Sequence, residues 1–338
     1  MVSDEFQTMC IMIGVPLAAC IISAALVVLL RPLLVRHALA RPNARSSHSV
    51  PTPQGGGVAV IAATLLSVLL AAQFATTAGT GLPAVFTAAI LLACVGAYDD
   101  LRPLPVLPRL ALQALAVGIV LAALPGEFHL VPALPLWIER ALLLIGGLWF
   151  VNLVNFMDGL DWITVAEIVP VTAALALFGF HGELPVTPTL VALALCGAMI
   201  GFAPFNRPVA KLFLGDVGSL PVGLLAGWCL LHLAGSGHIA AALLLPLYYL
   251  ADATITLLRR VTRGEKIWVA HRSHFYQQAT ANGFSVMQVV RDIFVLNLGL
   301  AALAAISIRQ PSLDVQGSTL LVGMAAVALV LTRFSRPR

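Results

Sequence analysis

Long apolar runs separated by short polar segments recur along the whole chain, and within each run the apolar positions are continuous rather than alternating. Continuous runs of about 20 residues suit helices crossing a hydrocarbon core of about 30 Å, where every backbone N–H and C=O must be satisfied internally. The runs lie at 9–30, 57–75, 83–98, 109–125, 137–154, 162–180, 188–205, 217–234, 238–258, 289–308 and 317–332, which predicts an all-α polytopic transmembrane bundle of about eleven helices. The third and seventh runs lie near the lower length limit for a span. The longest polar stretches, around 31–57 and 259–288, are about thirty residues each, too short for a core of their own, so 1–338 reads as a single membrane domain.

Basic residues orient the bundle. With the N-terminus outside, 17 of the 19 Lys and Arg side chains fall on inner loops or inner helix ends, leaving Arg140 and Arg309 outside. That bias follows the positive-inside rule and predicts a cytoplasmic C-terminus. Composition agrees: 60% of residues are hydrophobic and only 10% charged, against about 25% charged in soluble domains. The net charge of +4 therefore reports membrane orientation and gives no reason to expect nucleic acid as a partner. The first run is too long, and Arg31-Pro32 too unlike a cleavage site, for a removable signal peptide. The five cysteines sit in or beside apolar runs without close pairing and read as packing residues.

Chemistry concentrates at the inner ends of the runs. Asn152, Asn155, Asp158 and Asp161 close the fifth run, Asp99-Asp100 the third, and Asp216 opens the eighth beside Gly215 and Gly218. Acids at membrane depth are expensive and normally line a site or a watery path. Positions 152, 155 and 158 are spaced to share one helical face, and Gly159 can end that helix. Interhelical hydrogen bonding is the plain alternative for Asn155 and Asp158, and helix capping for Asp161 and Asp216. Asp216 offers a hard oxygen suited to Mg²⁺, and backbone N–H groups at that helix entrance could meet phosphate.

Two inner loops carry further donors. The first, with Arg45, His48 and Pro51-Thr-Pro-Gln54-Gly-Gly-Gly57, has the makings of an anion-handling loop but no Walker pattern. The last holds His271, Arg272 and His274; two histidines three apart could bind phosphate or metal, although a pair alone is too few for zinc. Asp252, in the ninth run, invites a partner such as Arg259 or a role at the site. A proton-coupled carrier is the alternative for intramembrane acids, yet these acids lie at one surface and no repeated halves are evident.

The ordered set PTPQGGG, AYDD, NLVNFMDGLD, AKLFLGDVGSL and a His-containing loop resembles the polyprenyl-phosphate N-acetylhexosamine-1-phosphate transferases over nearly the whole chain. The resemblance implies transfer of a sugar 1-phosphate from a UDP-N-acetylhexosamine to undecaprenyl phosphate at the bacterial cytoplasmic membrane, releasing UMP on the cytoplasmic face. It also implies Mg²⁺, with Mn²⁺ as a substitute, and is compatible with a homodimer. By match to the family motifs, Asn155 and Asp216 are the expected metal ligands, and Asp99 or Asp100 the group orienting or deprotonating the lipid phosphate. Asp158 and His274 are expected to be catalytic. Gly159, Asp161, Asn206, Lys211 and Phe213 are expected on the nucleotide side, with Arg45, His48 and Arg272 binding substrate. Many relatives carry DRxHxHH in the last loop, whereas this chain reads His271-Arg-Ser-His274-Phe-Tyr-Gln277. That pattern is closer to the O-antigen-initiating branch than to the peptidoglycan lipid I synthase, the alternative within the family.

Overall fold

The computed structural model describes residues 2–40, 51–73, 81–266 and 271–338. Among them are thirteen helices and one two-stranded ladder of two residues per strand. In chain order they are α1 (Val2–His37), β1 (Leu39–Ala40), β2 (Thr52–Pro53), α2 (Gly57–Ala72), α3 (Leu82–Leu101), α4 (Val106–Ala122), α5 (Leu136–Met157), α6 (Ile163–Phe180), α7 (Val186–Asn206), α8 (Asp216–Gly235), α9 (Ile239–Leu244), α10 (Leu247–Thr262), α11 (Phe275–Ala281), α12 (Val286–Arg309) and α13 (Leu313–Phe334). Eight of these helices are long and apolar enough to cross a membrane. The chain is an integral membrane protein built as a helical bundle.

The expected short spans are not the short ones. α3 continues through Tyr98-Asp99-Asp100 to reach 20 residues and α7 reaches 21, whereas α2 and α4 have 16 and 17. The ninth run is not one helix. It breaks between α9 and α10 at Leu245-Pro246, because proline has no N–H to donate and its ring collides with the carbonyl one turn back. α10 thus starts within the apolar run, where its first N–H groups need acceptors other than water. The short helix α11 lies where a polar loop was expected.

α7 and α8 form the buried middle, with α1, α2 and α6 against α7 and α3 and α5 against α8, while α1 and α13 turn mostly apolar surface outward. Close helix approach depends on small residues. A Cβ on Gly57 would lie 2.1 Å from the Gly218 Cα, so α2 and α8 touch backbone to backbone at their first turns. Gly57→Ala is expected to lower the thermal stability of the purified protein by roughly 1–3 kcal/mol, the usual cost of overpacking. Gly118→Ala, where nothing lies within 4 Å of the added carbon, is expected to change little.

Candidate active site

A cavity of about 430 Å³ opens where the ends of α3, α5 and α7 meet the starts of α6, α8 and α12. The β2 turn and α11 close it. Asp100, Asp158, Asp161 and Asp216 line it, and no Lys, Arg or His does so among the described residues. Four carboxylates in one partly buried cavity repel one another, so the arrangement invites a cation.

The α8 entrance sets the geometry. Asp100 accepts from the Asp216 N–H at 3.0 Å and the Val217 N–H at 3.1 Å, so its carboxylate caps the positive end of α8. Gly218 and Ser219 N–H bond to Gly215 O, which leaves that helix start fully engaged rather than open to phosphate. Asn155 lies across from it, donating from Nδ2 to Asp216 Oδ1 at 2.7 Å and to Ser219 Oγ at 2.9 Å. The glycine loop is engaged as well: Gly56 and Gly57 donate to the carbonyls of Phe213 and Leu214, and Phe213 donates back to Pro53. These glycines pair backbones and do not cradle an anion. Gln54 lines the cavity and donates to Asp100 O at 2.7 Å.

The members of the fifth run separate. Each step of three residues falls about 60° short of a full turn, so positions 152 and 158 diverge by about 120°. Asn152 turns to α4 and donates to Gln113 Oε1 at 2.7 Å, away from the cavity. Asp158 follows the last residue of α5 and receives the Thr164 hydroxyl. Burial pushes its carboxyl up to about 7 against that hydrogen bond, and the charges of Asp100 and Asp161 add to the rise. Asp161 accepts from the Ala210 N–H at 2.9 Å. Between them Gly159 faces the Tyr276 hydroxyl so closely that a Cβ would meet it at 2.1 Å; that hydroxyl donates to Phe156 O at 3.0 Å.

Trp162 was not singled out by sequence, yet it holds φ at 66°, rare for a bulky side chain. Its N–H donates to Asn206 Oδ1 at 2.8 Å and its indole to Ala203 O at 2.5 Å, so the end of α7 holds this turn in place. Asn206 also donates to Leu212 O at 3.0 Å, tying the wall that carries Phe213.

Several expected residues lie outside the lining. Asp99 stands beside it, its carboxyl sharing a side-chain hydrogen bond with Asp216 while it also accepts from the Leu104 N–H at 2.5 Å and pairs with Arg109 at 3.0 Å. Lys211 is exposed and outside the lining. His274 is buried behind it, with Nδ1 3.2 Å from Asp252 Oδ1. Asp252 also accepts from the N–H groups of Phe275 and Tyr276 and from Tyr248 and Thr256, so it anchors α11; Arg259 stacks over Phe275 instead. His271 stacks on His274 at 5.0 Å, and burial, with His274 and Arg260 nearby, holds it down at about 4. The two rings form no metal pair; no group of three His, Cys, Asp or Glu able to hold an ion occurs among the described residues. Arg272 borders a second cavity that shares Leu160, Gln277 and Val286 with the first. Arg45 and His48 lie outside the described residues.

Comparison with known proteins now bears on this geometry. The family model described as glycosyl transferase family 4 matches residues 82–234, the stretch that carries Asp100, Asn155, Asp158 and Asp216. The decaprenyl-phosphate N-acetylglucosaminephosphotransferase of Mycolicibacterium smegmatis is 30% identical over 331 residues, 87% of this chain and 81% of the relative. The chain belongs to glycosyl transferase family 4. A second member, the probable undecaprenyl-phosphate N-acetylglucosaminyl 1-phosphate transferase of Bacillus subtilis, is 25% identical over 87% of this chain and 85% of its own. The phospho-N-acetylmuramoyl-pentapeptide-transferase of Streptococcus suis is 34% identical over 50% of this chain and 55% of its own.

In this family 4 member the Asp158 carboxyl titrates far above an unfolded aspartate's 3.8. The folded state then holds the Asp158 proton more tightly than the unfolded state, so this residue's contribution is full below about pH 4 and is lost as pH rises through about 7. Melting curves with chelator present are expected to show Asp158→Asn gaining on the wild type between those limits. A constant offset across that range would remove Asp158 as the titrating group.

Proposed function

We propose that this protein transfers an N-acetylhexosamine 1-phosphate from a UDP-sugar to undecaprenyl phosphate, yielding UMP and a lipid-linked pyrophosphoryl sugar. The observation that carries this reading is the cavity of four carboxylates, with the amides of Asn155 and Asn206, at the helix ends matched by the family model. Support comes from the relatives' names, which give a polyprenyl phosphate and N-acetylglucosamine for both matches that cover more than four fifths of each chain. Within that reading the product starts O-antigen or another envelope polysaccharide. The longer likeness favours a simple N-acetylhexosamine donor over a muramoyl-pentapeptide one, whose relative matches half the chain. The cavity is assigned to the cytoplasmic face of a bacterial inner membrane, in keeping with the distribution of Lys and Arg along the sequence.

A divalent cation fits the donor set. Asp216 and Asn155 stand side by side, with the amide nitrogen turned to the carboxylate. Asp216 would supply a carboxylate oxygen and Asn155, its amide turned over, a carbonyl oxygen; Mg²⁺ commonly takes one or two protein ligands and completes its shell with water and phosphate. Mn²⁺ accepts the same oxygens. When bound, the cation screens the donor pyrophosphate from the four aspartates and stabilises the departing phosphate of UMP.

The protein's own groups then act as follows. Asp100, its oxygens committed to the α8 N–H groups, fixes Asp216 and contributes charge rather than a free base. Asp158, titrating near 7, can hold or release a proton at neutral pH beside the acceptor. A phosphate monoester has its second pKa near 6 and is largely ionised at neutrality, so orientation is the larger demand. One acceptor oxygen forms a bond to the sugar-bearing phosphorus while that phosphorus loses its bond to the UMP oxygen. Asp161, Asn206 and Phe213 form the wall assigned to the nucleotide. Asp99, hydrogen-bonded to Asp216 and paired with Arg109, is assigned the indirect task of fixing the Asp216 carboxyl.

Purified protein given undecaprenyl phosphate, Mg²⁺ and UDP-N-acetylglucosamine, or a 6-deoxy relative such as UDP-N-acetylfucosamine or UDP-N-acetylquinovosamine, is expected to release UMP. Asp216→Asn should cut turnover by at least about 100-fold while the melting temperature holds. Absence of UMP with every donor overturns the reading, and near-normal turnover in Asp216→Asn removes Asp216 from the metal site.

A further inference from the structure

Glu167 stands in the second turn of α6, 1% exposed, and plays no part in the cavity lining. Two groups meet its carboxyl: the Asn297 amide of α12, with Nδ2 at 2.6 Å from Oε2, and the Tyr249 backbone N–H at the start of α10. Neither is a cation. The break at Pro246 explains the second contact, since it creates a helix start in an apolar setting and Glu167 supplies an acceptor for it.

The amide's orientation is fixed. Asn297 Nδ2 also donates to Ala166 O at 3.1 Å, and a carbonyl can only accept, so nitrogen must occupy that side and Oδ1 the other. Two buried oxygens are then without partners, Glu167 Oε1 and Asn297 Oδ1, and they belong to the same two planar groups. The Tyr249 hydroxyl also lies near this carboxyl, with the Thr164 side chain as its other neighbour. One hydroxyl cannot serve two acceptors, so an ionised Glu167 leaves an oxygen bare. A proton on Oε1 provides the missing donor for Oδ1 and closes an acid–amide ring.

The ring joins elements that shape the cavity. One turn before Glu167, Thr164 donates to Asp158; α12 begins with Val286 in the cavity wall; α10 carries Asp252, which anchors α11 and thereby Gln277. We propose that Glu167 is a neutral carboxylic acid paired with Asn297, and that it is a positioning residue which, through Thr164, fixes Asp158 for the transfer reaction. The positioning half rests on the function proposed above; the pairing does not.

The test combines infrared spectroscopy with kinetics on the purified full chain at neutral pH. A wild-type minus Glu167→Gln difference spectrum is expected to show a carboxylic-acid C=O band, which Asn297→Ala moves to higher frequency as the amide donor is lost. Glutamine can accept and donate the same two bonds, so Glu167→Gln should keep turnover within about threefold, whereas Glu167→Leu should lower kcat at least about tenfold with the fold intact. A carboxylate band in place of the acid band overturns the pairing. Equal turnover in the leucine variant, or loss of turnover in the glutamine variant, overturns the positioning role. An acid band in a protein that releases no UMP with any donor upholds the pairing and removes both the positioning role and the transferase reading.

Discussion

The helix start at Asp216 is the constraint on which the rest depends. It lies where α2 and α8 touch backbone to backbone through Gly57 and Gly218. Asp100 meets two of its first N–H groups from the end of α3, and this capping brings a second carboxylate against Asp216. Asn155 then joins from α5. A local requirement of helix termination thereby gathers three chain segments, far apart in sequence, at one end of the bundle. The charge it concentrates is what makes the cavity chemically useful.

The same requirement recurs away from the cavity. In an apolar interior an unpartnered polar side chain is costly, and several of those found there are satisfied by joining two helices. Asn152 meets Gln113 between α5 and α4, Glu167 meets Asn297 between α6 and α12, and Asp252 meets His274 and the start of α11. Polar groups in this chain therefore divide by whether their partner is protein or ligand. Asp158 and Asp216 keep a side open to the cavity, while Asp252 has five hydrogen-bond donors of its own and no opening.

The bundle was readable because lipid leaves so few choices: apolar length alone located nearly every helix. Pro246 was equally visible, but its effect depends on whether neighbours satisfy the freed groups, and Glu167 does so from a distant segment. Asp100, Asn155, Asp158 and Asp216 were legible as acids and amides at helix ends. Spacing could not separate Asn152 from Asn155, since a difference of about 60° around the helix decides which neighbour each one faces. Nor could it divide Asp99 from Asp100, or show that His274 serves Asp252. Those assignments depend on tertiary partners, and Trp162 owes its left-handed backbone to Asn206, 44 residues away.

On the proposed function, four carboxylates admit a nucleotide diphosphate only together with a divalent cation. Calorimetric titration of UDP-N-acetylglucosamine into the purified protein without acceptor tests it directly. Binding is expected with Mg²⁺ and should weaken at least about 100-fold when the cation is chelated, a difference of about 2.7 kcal/mol. Equal affinity in chelator, or heat of binding unchanged by Mg²⁺, would contradict the account.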